Sequence, residues 1–494
     1  MKFVDVLGMG RRETIFDRLV LFIALCFCVF LLRNVVGNWS VDDAYVVFGS
    51  GRDGVFRASV APLVPFLIFV AHRFLRLDAA WFGTALCVVA YVALVISTFI
   101  VVRTWSDRVG SSLAAFTVAS SPFVLPIAVH DSIVAYALLG IGGACALRGR
   151  PLFGVAFVGL SALARPECAV VGLVLVFCCS RVFGPRFGLW SACVGLGPFV
   201  AWFIWAGPVI FSDLSRAPVF APSVIPKFSQ FGLLFGVLPY VTEAVGYGIA
   251  LAVGLQALLF ACSACGFAIN GRTPPQAATA IIVAFFLCFG VLVACGTSFA
   301  PWLCLPLGLL GAVCVSGPWV RNVESNIGLT VVRSLSVLAV AGNLVFAIPF
   351  STNPFNDLGF LDYYPSSDAR HGPSVVAASW ISHHSSASAI VASVDPASLG
   401  YRSHRRVVSL RPRGGDDLVV VIAEVQALGI RAARPRYVVV DTTYGNGFDR
   451  SPALRWFGRA YVLRARLSSS RVSRYAWQSR IYELRYPRLV PKVR

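Results

Sequence analysis

Two adjacent carboxylates, Asp42 and Asp43, follow within half a dozen residues an apolar run, Leu19 to Val36, that is long enough to cross a bilayer. The segment reads Trp39-Ser-Val-Asp-Asp-Ala-Tyr45. Acids at the mouth of a membrane helix are costly to hold near hydrocarbon unless something positive or proton-carrying comes to them. A carboxylate so placed can take a proton from a hydroxyl, or pair with a cation that a substrate brings. The plainer reading is a pair of solvated loop acids capping the next helix. Both readings stand on these residues alone.

The surrounding chain is that of a polytopic membrane protein. It has 494 residues, 57% apolar and only 13% charged, with a mean hydropathy of +0.76. Soluble domains carry about twice that charged fraction. The net charge of +19 comes almost wholly from arginine, since Lys2, Lys227 and Lys492 are the only lysines. All fourteen cysteines lie at or before Cys314, mostly in apolar runs, where a thiol packs as a small hydrophobe. Cys262-Ser-Ala-Cys265 has redox or metal spacing, but it sits inside an apolar helix and reads as packing. No small-residue cleavage pattern follows the first run, so it reads as a retained span behind a basic N-terminus (Lys2, Arg11, Arg12, Arg18).

Further apolar stretches recur at 79–102, 112–129, 131–147, 151–164, 166–183, 187–207, 247–269, 275–295, 299–316 and 327–349. The run Val60 to Val70 is too short to span. If it does not cross, Arg103, Arg108, Arg148, Arg150, Arg181, Arg186, Arg272 and Arg321 all share the side of the basic N-terminus. Counting it as a span leaves that N-terminus opposite all of them, so the positive-inside rule favours a non-crossing segment. Residues 60–76 then form an interfacial or re-entrant helix. About eleven spans result, in the cell membrane, with the N-terminus cytoplasmic and the chain beyond Phe350 extracytoplasmic.

On this layout the outer face collects Asp42, Asp43, Arg52, Asp53 and Arg57 in the first loop, His130-Asp131 between two spans, and Arg165-Pro-Glu167 between two more. The long loop after residue 207 adds Asp213, Arg216, Lys227 and Glu243. Acids and bases over a helix bundle make a cavity suited to an anionic substrate. Asp131 and Glu167 also lie in first turns, where the helix dipole favours them for structural reasons alone. A divalent cation is compatible with three acids on one face, though no spacing demands a metal.

From Ser351 the composition turns polar and Arg-rich. The pattern predicts a helix at 374–384, strands at 389–394 and 406–410, a helix at 417–428, a strand at 436–441, and strands near 460–466 and 475–485. That alternation describes a small α/β domain at 351–494 following a membrane domain at 1–350, whose first external loop is 38–78. The basic excess after Arg431 suits lipid phosphates or an anionic polymer, or it simply solubilises the face.

Asp42-Asp43-Ala44-Tyr45, just after the first span, resembles the acidic motif of GT-C glycosyltransferases, which use polyprenyl-phosphate-linked sugars. The apolar helix at 60–76, the Leu160 to Glu167 segment with its Arg-Pro-Glu junction, and the stretch from Val375 to Asp441 are similar to further parts of that family. Within it, the chain looks most like cell-wall arabinofuranosyltransferases, and less like aminoarabinose and protein-mannose transferases. Two departures stand out. The first loop lacks a longer Gly-rich, aromatic stretch, and Phe299-Ala-Pro-Trp302 stands where the family often places an arginine. The resemblance implies transfer of a sugar, arabinofuranose in the nearest likeness, from a polyprenyl-phosphate donor to an envelope glycan or glycolipid on the outer face. It implies Asp42 or Asp43 as base with Asp131 on the acceptor side, and substrate contacts from Tyr45, Arg52, Arg57, His130, Arg165 and Lys227. The implied partners are donor, acceptor and membrane lipids, not nucleic acid. Two other classes remain open on the residues: a transporter or flippase for a lipid-linked or anionic solute, and a non-catalytic envelope assembly protein. No internal repeat of the kind common in transporters is visible.

Overall fold

The computed structural model describes residues 22–29, 42–54, 61–103, 106, 108–121, 124–125, 132–216, 330, 333–344, 373–393, 396–410, 425–426, 435–442, 452–468 and 478–485. Contacts divide the chain into two units: Met1–Val36 with Ser50–Pro354, and Gly37–Gly49 with Phe355–Arg494. The expected spans at 247–269, 275–295 and 299–316, and most of the helix expected at 417–428, lie outside the described residues.

The first unit is helical. Its helices are α1 (22–29), α2 (Asp42–Asp53, from Ser50 on), α3 (Leu63–Leu75), α4 (Ala79–Arg103), α5 (Arg108–Ser120), α6 (Ser132–Leu147), α7 (Pro151–Ala164), α8 (Ala169–Phe183), α9 (Pro185–Gly195), α10 (Gly197–Arg216) and α11 (333–344). Among the described residues, α4 is the one unbroken helix long and apolar enough to cross a membrane. Its 25 residues extend about 37 Å at 1.5 Å per residue. Asp78 Oδ1 accepts the Trp81 N–H at 2.8 Å and caps its start. The buried Tyr91 hydroxyl donates to the Ala119 carbonyl and ties α4 to α5.

Two expected spans end differently from their apolar runs. In the run 112–129, α5 ends at Ser120, because Pro122 disfavours helical backbone at the residue before it, and most of the remainder lies outside the described residues. The run 187–207 is broken into α9 and α10, bent by 50° at Leu196. Pro198 supplies no N–H and its ring crowds the preceding turn, so one continuous helix cannot form there.

Small residues set the packing of the others. A Cβ at Gly142 would lie 2.8 Å from the Gly154 carbonyl, and one at Gly154 would lie 2.9 Å from that of Gly142. The backbones of α6 and α7 therefore touch, as in small-residue contacts of membrane helices. Large apolar side chains remain outward-facing on these helices, among them Val89, Phe153, Leu173, Trp190, Ile204 and Trp205. A soluble bundle would not leave such area in water, whereas lipid accepts it without cost.

In the second unit, a five-stranded sheet has the order β2-β1-β3-β5-β4, with β1 (Ile390–Ser393), β2 (Arg406–Ser409), β3 (Tyr437–Thr442), β4 (Tyr461–Ser468) and β5 (Gln478–Leu484). Strands β2, β1 and β3 are parallel, and β5 and β4 return antiparallel. Helices α12 (Pro373–His384) and α13 (Pro396–Ser403) cover one face, burying Ala377, Ala378, Ile381 and Leu399 against Val391, Val439 and Ile481. Helix α14 (Pro452–Ala460) sets Phe457 against Ala392, Val438 and Val440 on the other. The α/β alternation expected from the pattern is present; α13 and α14 had not been expected.

Arg405 fastens the ends of α12 and α13. Its Nη2 donates to the carbonyls of Ser382 (3.0 Å) and Ser385 (2.8 Å), its Nε to Ser385 Oγ (3.0 Å), and its Nη1 to the Ser403 carbonyl (3.2 Å). A cation at two helix C-termini satisfies carbonyls that no further turn will reach.

Candidate functional site

Asp42 and Asp43 are the first two residues of α2, and Tyr45 lies in its first turn. Two acids in a first turn suit the positive end of the helix dipole, so this sequence starts a helix here. Val47 and Phe48 are buried, at 4% and 1% exposure, which seats the acidic end on a packed base. The other end is held by glycine. A Cβ at Gly51 would lie 2.6 Å from Ile68 Cβ and 2.9 Å from the Pro65 carbonyl on α3. Gly54, at φ +66°, ends the helix in the left-handed region, where a side chain would also meet Phe69 at 2.9 Å. The short apolar helix of the first loop thus packs against the C-terminal turn of α2.

Helix α3 spans 13 residues, about 20 Å, too short to cross hydrocarbon. It ends at Arg76, in the left-handed region at φ 55°. His72 Nδ1 lies 2.8 Å from the Leu77 carbonyl, and since a carbonyl only accepts, Nδ1 carries the proton.

Arg52 sits in the last turn of α2 and forks onto its neighbour. Nε reaches Asp53 Oδ1 at 2.8 Å and Nη2 reaches Oδ2 at 3.4 Å. The Asp53 side chain is 53% exposed. With Asp53 this open to water, the pair contributes little stability. Arg165 is half-buried at the end of α7 in extended backbone, its N–H donated to the Ser161 carbonyl at 2.8 Å. Pro166 imposes that geometry and opens a 3₁₀ turn, Pro166–Cys168, into α8. The Arg-Pro-Glu junction is thus a built helix–helix corner. Arg57, His130, Asp131 and Lys227 lie outside the described residues. Among the described residues, no cluster of three or more His, Cys, Asp or Glu side chains has metal-binding geometry.

The sheet joins residues that the sequence alone did not single out. Glu483 Oε2 accepts from Arg464 Nε at 2.7 Å, and Oε1 accepts from Tyr437 Oη at 3.3 Å and Arg436 Nη2 at 3.5 Å. Burial, then the Glu483 charge, raises the Tyr437 pKa. The Tyr437 ring meets Trp380 edge-on, and Trp380 stacks on His384 with centroids 4.3 Å apart. Register alone brings Tyr437 opposite Glu483, so no spacing in the chain announces the cluster.

The apolar helices, their outward-facing large side chains and the composition define an α-helical membrane fold, and the chain also carries an α/β domain. No protein-family model matches the sequence, and no curated protein matches it significantly. Among solved structures, the apo crystal structure of ArnT from Cupriavidus metallidurans covers 95% of this chain and 98% of its own, at 14% identity and a TM-score of 0.51. The Archaeoglobus fulgidus oligosaccharyltransferase in its apo form covers 88% of this chain and 70% of its own, at 11% identity and a TM-score of 0.52. The same enzyme in complex with Zn and sulfate covers 85% and 68%, at 12% identity and a TM-score of 0.50. The chain shares the overall fold of these structures, as the resemblance at Asp42-Asp43 implied.

Proposed function

We propose that the protein is a membrane glycosyltransferase that moves a sugar from a polyprenyl-phosphate donor to a glycan or glycolipid of the cell envelope, on the outer face. The observation that carries this reading is the adjacent acidic pair opening α2 in a chain of GT-C fold. Such a donor brings its own leaving group. The protein has to remove a proton from the acceptor hydroxyl and hold the departing phosphate. In the proposed step, Asp42 or Asp43 takes the acceptor proton, and the acceptor oxygen bonds to the anomeric carbon. The carbon–oxygen bond to phosphate breaks with its electron pair, releasing the polyprenyl phosphate. One displacement inverts the anomeric centre. Consecutive helix positions stand about 100° apart, so one acid serves as base while the other orients the acceptor or meets a cation.

Asp131 and His130 complete the acceptor side in this proposal, and Tyr45 lies beside the sugar. Arg52, Arg57, Arg165 and Lys227 hold the phosphate, guanidinium as a bidentate fork and ammonium as a point charge. Arg52 leaves Asp53 for the donor, a small loss for so exposed a pair. The sugar favoured by the nearest sequence resemblance is arabinofuranose.

The test is transfer by detergent-purified protein from a panel of radiolabelled polyprenyl-phosphate sugars. Asp42→Asn and Asp43→Asn change charge with little change of shape. Loss of the base lowers turnover by roughly 10²–10⁴-fold. Arg57→Ala raises KM for the donor more than it lowers kcat. Near-normal transfer by both asparagine variants refutes the catalytic assignment and puts the transporter reading first.

A further inference from the structure

We propose that Arg466 and Arg480 form a phosphate-binding site on the C-terminal sheet. The two are direct cross-strand partners in the antiparallel pair β4–β5. Arg480 is also opposite Val440 of β3, so one row across the sheet reads Val440, Arg480, Arg466. Partners in a ladder share a face, and like charges directly opposite repel.

A break in the ladder creates this pairing. The register shifts between Leu463 and Ala465, which leaves Arg464 as the extra residue of a bulge. Counting on from Leu463↔Tyr482 without the shift would set Ala465, a neutral residue, opposite Arg480. With the shift, Ala465 faces Ile481 and Arg466 faces Arg480. Bulges recur where a side chain is re-aimed for use.

Among the described residues of the domain, no acid pairs with this charge. Glu483 is engaged by Arg464 and Arg436. Among the described residues, neither the Arg466 nor the Arg480 side chain makes an ion pair or a hydrogen bond, and Arg480 Nε is shielded from water with no partner. Basic residues on an outermost strand are often explained as guards against edge-to-edge pairing. That accounts for Arg466 on β4, but Arg480 is on β5, which is paired on both sides. Two arginines opposed on one face can offer guanidinium groups to the oxygens of a phosphate monoester or diester, and a bound phosphate turns their repulsion into a shared attraction. The ligand is either a lipid headgroup or a soluble phosphate ester. The inference does not depend on the transferase reading.

Calorimetry on the full-length protein in an uncharged detergent tests it. The titrants are inorganic phosphate, glycerol 3-phosphate and dihexanoyl phosphatidylglycerol, with dihexanoyl phosphatidylcholine as the zwitterionic control. Saturable binding of at least one of the first three is expected, weakened roughly tenfold or more by Arg466→Gln or Arg480→Gln, since each removes charge-assisted hydrogen bonds. Arg466 is exposed, so Arg466→Gln keeps the fold, and phosphate then raises the melting temperature of the parent protein but not of this variant. Tighter binding of the phosphatidylglycerol than of the soluble esters identifies a headgroup site, and the reverse identifies a soluble ligand. No saturable binding, or binding unchanged in both variants, overturns the proposal. So does binding that is lost only in Arg52→Ala, because that belongs to the proposed donor site.

Discussion

Tyr461 shows what a single buried hydroxyl contributes. Its ring stacks on Phe457 with centroids 4.8 Å apart, and its Oη donates to the Pro435 carbonyl at 2.9 Å. Burial pushes its pKa up to about 12. The sign follows from proton counting. Between pH 10 and 12 the unfolded tyrosine loses its proton while the folded one keeps it, so stability is fully present below pH 10 and falls as pH rises to 12. Two units correspond to roughly 2–3 kcal/mol. Tyr461→Phe removes this alkaline loss and leaves the Pro435 carbonyl without its donor, at a cost of about 1–3 kcal/mol at neutral pH. Denaturant melts of both proteins at pH 8 and pH 11.5 should converge as pH rises. Parallel curves would show that Tyr461 does not titrate with unfolding.

At the scale of elements, the C-terminal turn of α2 meets α3 because Gly51 lets their backbones approach. Gly51→Val places two methyl groups where Ile68 Cβ already stands 2.6 Å from a single added carbon. Overpacking of this kind costs roughly 1–3 kcal/mol, and here its relief moves α2 off α3. We expect this variant to keep its α6–α7 contact and helical content while losing most transfer activity. Circular dichroism read beside the transfer assay checks this. Full activity in a folded Gly51→Val protein would show that α3 does not position the acids. Gly142→Leu is the contrasting change: it pries α6 from α7 within the bundle, so a lowered melting temperature should accompany any loss of activity.

At the scale of the whole molecule, the arginine asymmetry predicts the sidedness of every loop. In a cysteine-free background, single cysteines replacing Tyr45, His130 or Gly400 should react with an impermeant maleimide from outside the cell. Replacements of Trp105 or Arg272 should react only after permeabilisation. External labelling at position 105 would reverse the layout, and with it the side on which the acidic pair stands. The two-unit organisation bears on the same experiment, since Gly37–Gly49 clusters with the C-terminal unit and the rest of α2 with the helices. Positions 45 and 400 belong to one unit and should share one side.

The residues themselves determined the membrane class, because 20-residue apolar runs have no other stable home. They determined α6 and α7 almost to the residue, since Arg148-Gly149-Arg150-Pro151 both stops one helix and starts the next. The strands were legible from β-branched runs such as Tyr437-Val-Val-Val440. Helices α13 and α14 were not: at eight and nine residues, each with an internal glycine, they lack the propensity to form alone and exist because the sheet buries one side of them. The acidic pair was visible in the chain, but the seating of Gly51 and Gly54 against Ile68 and Phe69 was not, since a glycine's neighbour is a fact of packing. Arg466 and Arg480 likewise became a pair only through a one-residue bulge, because side-chain facing in a strand alternates and a single extra residue reverses it.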